Sequence, residues 1–135
     1  MNKDLKVKSN ISGCSGDRCI KPKGNNGYAL LRNGDRLTSK NGKYVLRMQR
    51  DGNLVLYCNG KTPIWASSTY LKTVLEGLHF QHDSNLVLYD KTGPIWASMT
   101  HGTGASKLIV QNDGNVVLYT PSNKPVWATN TQNKC

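Results

Sequence analysis

The sequence predicts an all-β domain of three equivalent antiparallel sheets, and three observations carry that expectation. The first is a repeat. "QRDGNLVLYCNGKTPIWASS" from Gln49 returns as "QHDSNLVLYDKTGPIWASM" from Gln81 and as "QNDGNVVLYTPSNKPVWATN" from Gln111. The three glutamines are spaced by 32 and 30 residues, and Trp65, Trp96 and Trp127 by 31 and 31, so one unit is used three times. The second is the pattern inside a unit, where short apolar or alternating runs are separated by Asp-Gly, Asn-Gly or Pro at hairpin distances. The third is that no stretch shows a convincing helical period. Short strands at even spacing argue for an all-β architecture, and 135 residues suffice for one domain.

Taken in order, residues 1–24 fall outside the repeat. They are basic, polar and rich in Gly and Ser, and read as an N-terminal extension ahead of a repeat domain at residues 25–135. Asn10-Ile11-Ser12 fits a glycosylation acceptor, and Cys14 and Cys19 frame "CSGDRC", a candidate small loop.

"KYVLRMQ", "LVLY" and "PIWAS" are then the strands of the first unit. Arg50-Asp51-Gly52 reads as a three-residue loop with Gly at the left-handed position, which pairs Gln49 with Asn53. That register places Met48 opposite Leu54 and Leu46 opposite Leu56 on one face, leaving Gln49, Asn53, Val55 and Tyr57 on the other. In the second unit Phe80 faces Leu86 and Leu78 faces Leu88. In the third Val110 faces Val116 and Leu108 faces Leu118. Ser84 holds the second loop's Gly position and should tolerate that backbone less well. Each unit closes on a Pro-apolar-Trp-Ala strand. One Trp per unit, flanked by Ile or Val, is better explained as packing where three sheets meet than as a sugar-stacking platform.

Composition bounds the function. Lys and Arg number 18 against 8 Asp and Glu, a net charge of +10, and twelve of those cations with three of the acids lie in residues 1–50. Such a surface attracts anionic surfaces. There is no apolar run long enough for a membrane-spanning helix, and the opening residues lack the apolar centre of a secretory signal. Cys14, Cys19, Cys58 and Cys135 permit three pairings, and none has zinc-site spacing. Disulfides in an oxidising, secreted or extracellular setting are favoured over free thiols, and Cys135 fits pairing with another chain equally well. His79, His82 and His101 share no spacing, and three of the eight acids belong to the repeats, so an enzyme lacks parts. No cofactor, metal or nucleic acid is expected.

The outward face carries the chemistry. Gln49, Asp51, Asn53, Val55 and Tyr57 recur as Gln81, Asp83, Asn85, Val87 and Tyr89, and again as Gln111, Asp113, Asn115, Val117 and Tyr119. A merely solvated face needs polarity alone and would vary among Thr, Lys, Ser and Glu. Here the five types are fixed while three of the four positions between them change. A carboxylate accepts, an amide does both through separate atoms, and a phenol does both, so the set suits sugar hydroxyls, with Val offered to ring C–H groups. On the same face Arg47, His79 and Ile109 lie opposite the three valines and are expected to make the sites unequal.

Gln-x-Asp-x-Asn-x-Val-x-Tyr three times, each followed by Trp-Ala-Ser/Thr, resembles the bulb-type (monocot) mannose-binding lectins over residues 25–135, and "NGYALLRNGDRLTS" is similar to that family's opening strands. The resemblance implies a β-prism II fold, three four-stranded sheets about a pseudo-threefold axis, and metal-free binding of mannose-rich glycans in defence or agglutination. It assigns the axial 2-hydroxyl to the Asp and Asn pairs, the 3-hydroxyl to the glutamines, the 4-hydroxyl to the tyrosines and the ring carbons to the valines. It also implies a homodimer or higher homo-oligomer, often formed by exchange of C-terminal strands. The family's usual disulfide would fall at Gly52 and Glu76 and is therefore absent. A competing reading makes the chain a cationic antimicrobial or membrane-surface protein acting through its basic N-terminal part.

Overall fold

Each repeat folds on the hairpin that its Asp-Gly or Asp-Ser turn dictates. The computed structural model describes residues 18–22 and 29–135, and among these no helix occurs. The acceptor triplet at Asn10 and the loop framed by Cys14 lie outside the described residues. β1 (Cys19–Ile20), β2 (Ala29–Arg32) and β3 (Arg36–Thr38) precede the repeats. β4 (Tyr44–Met48), β5 (Leu54–Cys58) and β6 (Thr62–Ala66) form the first. β7 (Gly77–Phe80), β8 (Leu86–Asp90) and β9 (Gly93–Ala97) form the second, and β10 (Lys107–Val110), β11 (Val116–Tyr119) and β12 (Pro125–Ala128) the third.

Three antiparallel four-stranded sheets result, in the orders β3-β4-β5-β6, β2-β7-β8-β9 and β1-β10-β11-β12. The three opening strands are thus dealt out one to each sheet, which gives the β-prism II arrangement. Cys19 and Ile20 belong to the stretch read as a basic extension, yet both are fully buried and pair with Ile109 and Leu108. The extension therefore does not end outside the fold: its two apolar residues cover an edge that β10 would otherwise expose.

The hairpin registers match those expected. Met48 pairs with Leu54 and Leu46 with Leu56, Phe80 with Leu86 and Leu78 with Leu88, Val110 with Val116 and Leu108 with Leu118. Alternation sends these twelve side chains inward, where all are buried in one core. Trp65, Trp96 and Trp127 meet where the sheets converge, each pair of rings edge to face with centroids 5.8 Å apart. Each ring edge meets a neighbouring ring face, which places positive edge against negative π-cloud three times over.

The turns explain which positions must be glycine. Gly52 and Gly114 take φ of 93°, and Ser84 takes 83° at the equivalent place. Ser84 accepts a left-handed backbone, and its hydroxyl donates to Ala105 O at 3.4 Å. At Gly52 no such room exists, since a Cβ would lie 2.1 Å from Lys72 O and 2.9 Å from Thr69 O. Gly52→Ala is accordingly expected to destabilise the chain by about 2–3 kcal/mol, and Ser84→Ala by under about 1 kcal/mol. Denaturant midpoints at equal slope check the difference.

Cys58, at the end of β5, and Cys135 form a disulfide with Cα atoms 5.9 Å apart, and Cys19 is disulfide-bonded as well. The terminal cysteine thus closes onto the first sheet of its own chain. β12 likewise lies on β11 of its own chain, Trp127 opposite Leu118.

Candidate carbohydrate-binding sites

The loop geometry positions the acid. In each hairpin the Asp side chain turns back on its own loop, and Asp51, Asp83 and Asp113 Oδ1 accept from the backbone N–H of Asn53 at 2.9 Å, Asn85 at 3.0 Å and Asn115 at 2.9 Å. Such an Asx turn fixes the carboxylate beside the following amide.

The asparagines are held from the other side. Asn53 Oδ1 accepts from Ser67 Oγ at 3.3 Å and from Thr69 N–H at 3.1 Å. Asn85 Oδ1 accepts from Ser98 Oγ and Thr100 N–H at 3.2 and 3.1 Å, and Asn115 Oδ1 from Thr129 Oγ1 and Thr131 N–H at 3.2 and 3.3 Å. With Oδ1 doubly occupied, the amide orientation is set and Nδ2 is left as the group each Asn can offer a ligand.

These Ser/Thr pairs were missed in the sequence. They lie just past each tryptophan strand, as "WASST", "WASMT" and "WATNT", with the hydroxyl residues two apart every time. Their hydroxyls touch at 2.7 Å in all three units. Thr69, Thr100 and Thr131 Oγ1 also donate to the backbone oxygens of Gly52, Ser84 and Gly114, tying the strand's exit to the hairpin loop. The intervening Ser68, Met99 and Asn130 adopt positive φ near 60°, which turns both hydroxyls to the same side. The recurrence of that second hydroxyl residue was the available signal.

Gln and Tyr complete two of the sites. Gln49 Nε2 donates to Asp51 Oδ2 at 2.9 Å and Tyr57 OH donates to Gln49 Oε1. Gln81 Nε2 donates to Asp83 at 3.2 Å and Tyr89 OH to Gln81 Oε1. Gln111 and Tyr119 make neither contact in the third, so the tyrosine-to-carboxylate chain is assembled twice. There Lys107 lies opposite Tyr119, its Nζ 5.7 Å from the ring centroid and 2.9 Å from Asn123 Oδ1.

The valines face outward as expected, opposite Arg47, His79 and Ile109, but Val55, Val87 and Val117 are each only 3% exposed. Their methyl groups form a pocket floor rather than an open patch. The side walls differ. The His79 ring stands edge-on to Tyr89 with centroids 5.4 Å apart, and its Nε2 lies 3.5 Å from Glu76 Oε1. Ile109 is buried with Cys19, Val117 and Tyr119.

All fifteen expected residues are therefore grouped by fives on three hairpins. Each group offers a carboxylate acceptor beside an amide donor, a phenol and an apolar floor. Among the described residues no cluster of three His, Cys, Asp or Glu could hold a metal ion.

The three sheets and the repeated hairpin pocket define a β-prism lectin. No protein-family model matches the chain. Plumieribetin, a B-type lectin from Scorpaena plumieri, is 37% identical over 100 residues, which span 72% of this chain and 85% of that protein. A monomeric monocot mannose-binding lectin from Gastrodia elata superimposes with a TM-score of 0.71 at 36% identity, over 85% of this chain and 98% of that one. The mannose-specific agglutinin of snowdrop (Galanthus nivalis), solved with methyl α-D-mannoside, gives a TM-score of 0.61 at 36% identity, over 86% and 98%. The chain belongs to the bulb-type mannose-binding lectin family, whose members bind carbohydrate and are not enzymes.

Proposed function

We propose that the chain is a metal-independent mannose-binding lectin whose three hairpins are separate sites for mannose-rich glycans. The observation that carries this reading is the division of labour within each Asp-Asn pair. The carboxylate only accepts, and the amide, its oxygen already occupied, only donates. One hydroxyl that donates to Asp and accepts from Asn satisfies both, as the axial 2-hydroxyl of mannose would. The Gln and Tyr of each hairpin then meet its ring neighbours, the 3- and 4-hydroxyls, and the Val floor meets ring C–H groups. The mannoside in the snowdrop complex supports the choice of sugar.

Few hydrogen bonds form in such a pocket. At about 0.5–1.5 kcal/mol net each, against several kcal/mol for association, a single site binds at roughly millimolar strength. Three sites on one rigid prism make multivalent glycans the fitting partners, with avidity gains on the order of a hundredfold. Agglutination or defence at mannose-rich surfaces is the role proposed for such a multivalent protein, and a homodimer or higher homo-oligomer would multiply the sites again.

Retention on an immobilised mannose-rich glycoprotein tests the proposal. Free methyl α-mannoside should elute the protein, whereas a chelator or raised salt should not. Elution by salt with no response to mannoside would instead favour attraction between the basic surface and an anionic one.

A further inference from the structure

Equivalent positions beside the three pockets carry unlike side chains, and the first pocket is the one with two cations facing each other, whereas the third pocket's Lys107 is buried and held by Asn123. On the outward face of the third sheet Cys19 lies opposite Ile109, and on that of the second Leu30 lies opposite His79. On the first, Arg36 lies opposite Arg47. Arg47 in turn lies opposite Val55, the floor of the pocket. Neighbouring strands stand about 5 Å apart, so the two arginines occupy the first and second strand spacings from that floor.

Like charges facing each other across an antiparallel pair are unfavourable. Among the described residues nothing offsets this pair. Neither guanidinium makes an ion pair or hydrogen bond, and the adjacent Asp35 leaves its buried Oδ2 without a partner rather than meeting them. Asp51 is engaged by Gln49 and by the Asn53 N–H. A third cation, Arg50, lies over Gly34 in the turn before β3, its Nη2 2.6 Å from where a Cβ would stand. Two planar guanidinium groups next to a hydroxyl-reading pocket match a sugar that carries a tetrahedral oxyanion.

We propose that the first pocket is selective for acidic mannose glycans, its hairpin reading the hydroxyls while Arg36 and Arg47 hold a phosphate or sulphate ester on the same glycan. The assignment rests on the mannose reading above. The second and third pockets, walled by Leu30 with His79 and by Cys19 with Ile109, take neutral glycans.

The test uses the full chain carrying Asn85→Asp and Asn115→Asp, so that only the first pocket is intact. Calorimetric titration at low ionic strength compares methyl α-mannoside, mannose 6-phosphate, mannose 6-sulphate and inorganic phosphate. An ester should bind roughly tenfold more tightly than the neutral mannoside, with the advantage shrinking as salt rises. In Arg36→Gln with Arg47→Gln the ester-to-mannoside ratio should fall to near one, while the distant Lys124→Gln should preserve it. A ratio near one for both esters in the parent would overturn the proposal. So would a ratio unchanged by the two arginine substitutions, or inorganic phosphate binding as tightly as the esters, which would mark an anion site indifferent to sugar. If the parent binds neither neutral mannoside nor ester, the mannose reading itself fails.

Discussion

Replacing Asn53, Asn85 and Asn115 together by Asp is expected to abolish mannoside binding and leave the fold standing. The substitution is nearly isosteric, and the oxygen equivalent to Oδ1 still accepts from the Ser or Thr hydroxyl and the Thr backbone N–H that fix each side chain. What changes is the other atom. Nδ2, the donor that the proposed site offers a sugar, becomes a second acceptor beside the carboxylate of Asp51, Asp83 or Asp113. A hydroxyl can donate to one of two acceptors and then faces the other unpaired, a loss of about 2–3 kcal/mol or roughly a hundredfold per site. Starting near millimolar strength, each site passes beyond detection. Circular dichroism and thermal midpoint check that the prism persists, and calorimetry checks the binding. Retained affinity would show that the sugar does not use these amides.

Trp96→Ala carries the largest expected effect on stability, about 3 kcal/mol or more, a large share of the stability of an ordinary domain. It removes two of the three edge-to-face contacts at the centre, those with Trp65 and with Trp127, and opens a void where three sheets meet. Edge-to-face pairs contribute about 0.5–1.5 kcal/mol each beyond area burial, so the loss exceeds that of an isolated aromatic. Chemical denaturation should show a lowered midpoint. Binding to mannoside well below the melting temperature should be nearly unchanged, because the pockets lie on the opposite face of each sheet. Lost affinity with unaltered stability would mean the tryptophans serve the sugar instead.

The hairpins were legible in the sequence because turn chemistry and alternation constrain the same residues. A three-residue loop ending in a left-handed position admits one register, and that register sends Leu46, Met48, Leu54 and Leu56 inward in a single step. Even Ser84 at that position left the register intact. Legibility stopped where long-range partners decide. β1 has only two residues, set in a polar leader, and its place on β10 depends on an edge the sequence does not display. Cys58 and Cys135 are 77 residues apart, and no spacing rule selects that pairing from three.

The candidate site divides in the same way. Its five outward-facing residue types were readable as a repeated set, whereas the Ser/Thr pair that orients each Asn lies just past the far strand, and its role depends on β6, β9 and β12 standing beside the loops. The inequality of the pockets was expected from Arg47, His79 and Ile109, and the walls do differ. The unassembled Gln111–Tyr119 contact is a further difference among identical residues, and it falls where Lys107 faces Tyr119 while Val45 faces Tyr57 in the first unit.

The most direct measurement of the central claim is calorimetric titration of the unmodified chain with methyl α-mannoside at tens of millimolar, with and without a chelator. Three mannosides per chain, at roughly millimolar strength and indifferent to the chelator, is the predicted result. No binding, or binding abolished by the chelator, would contradict it.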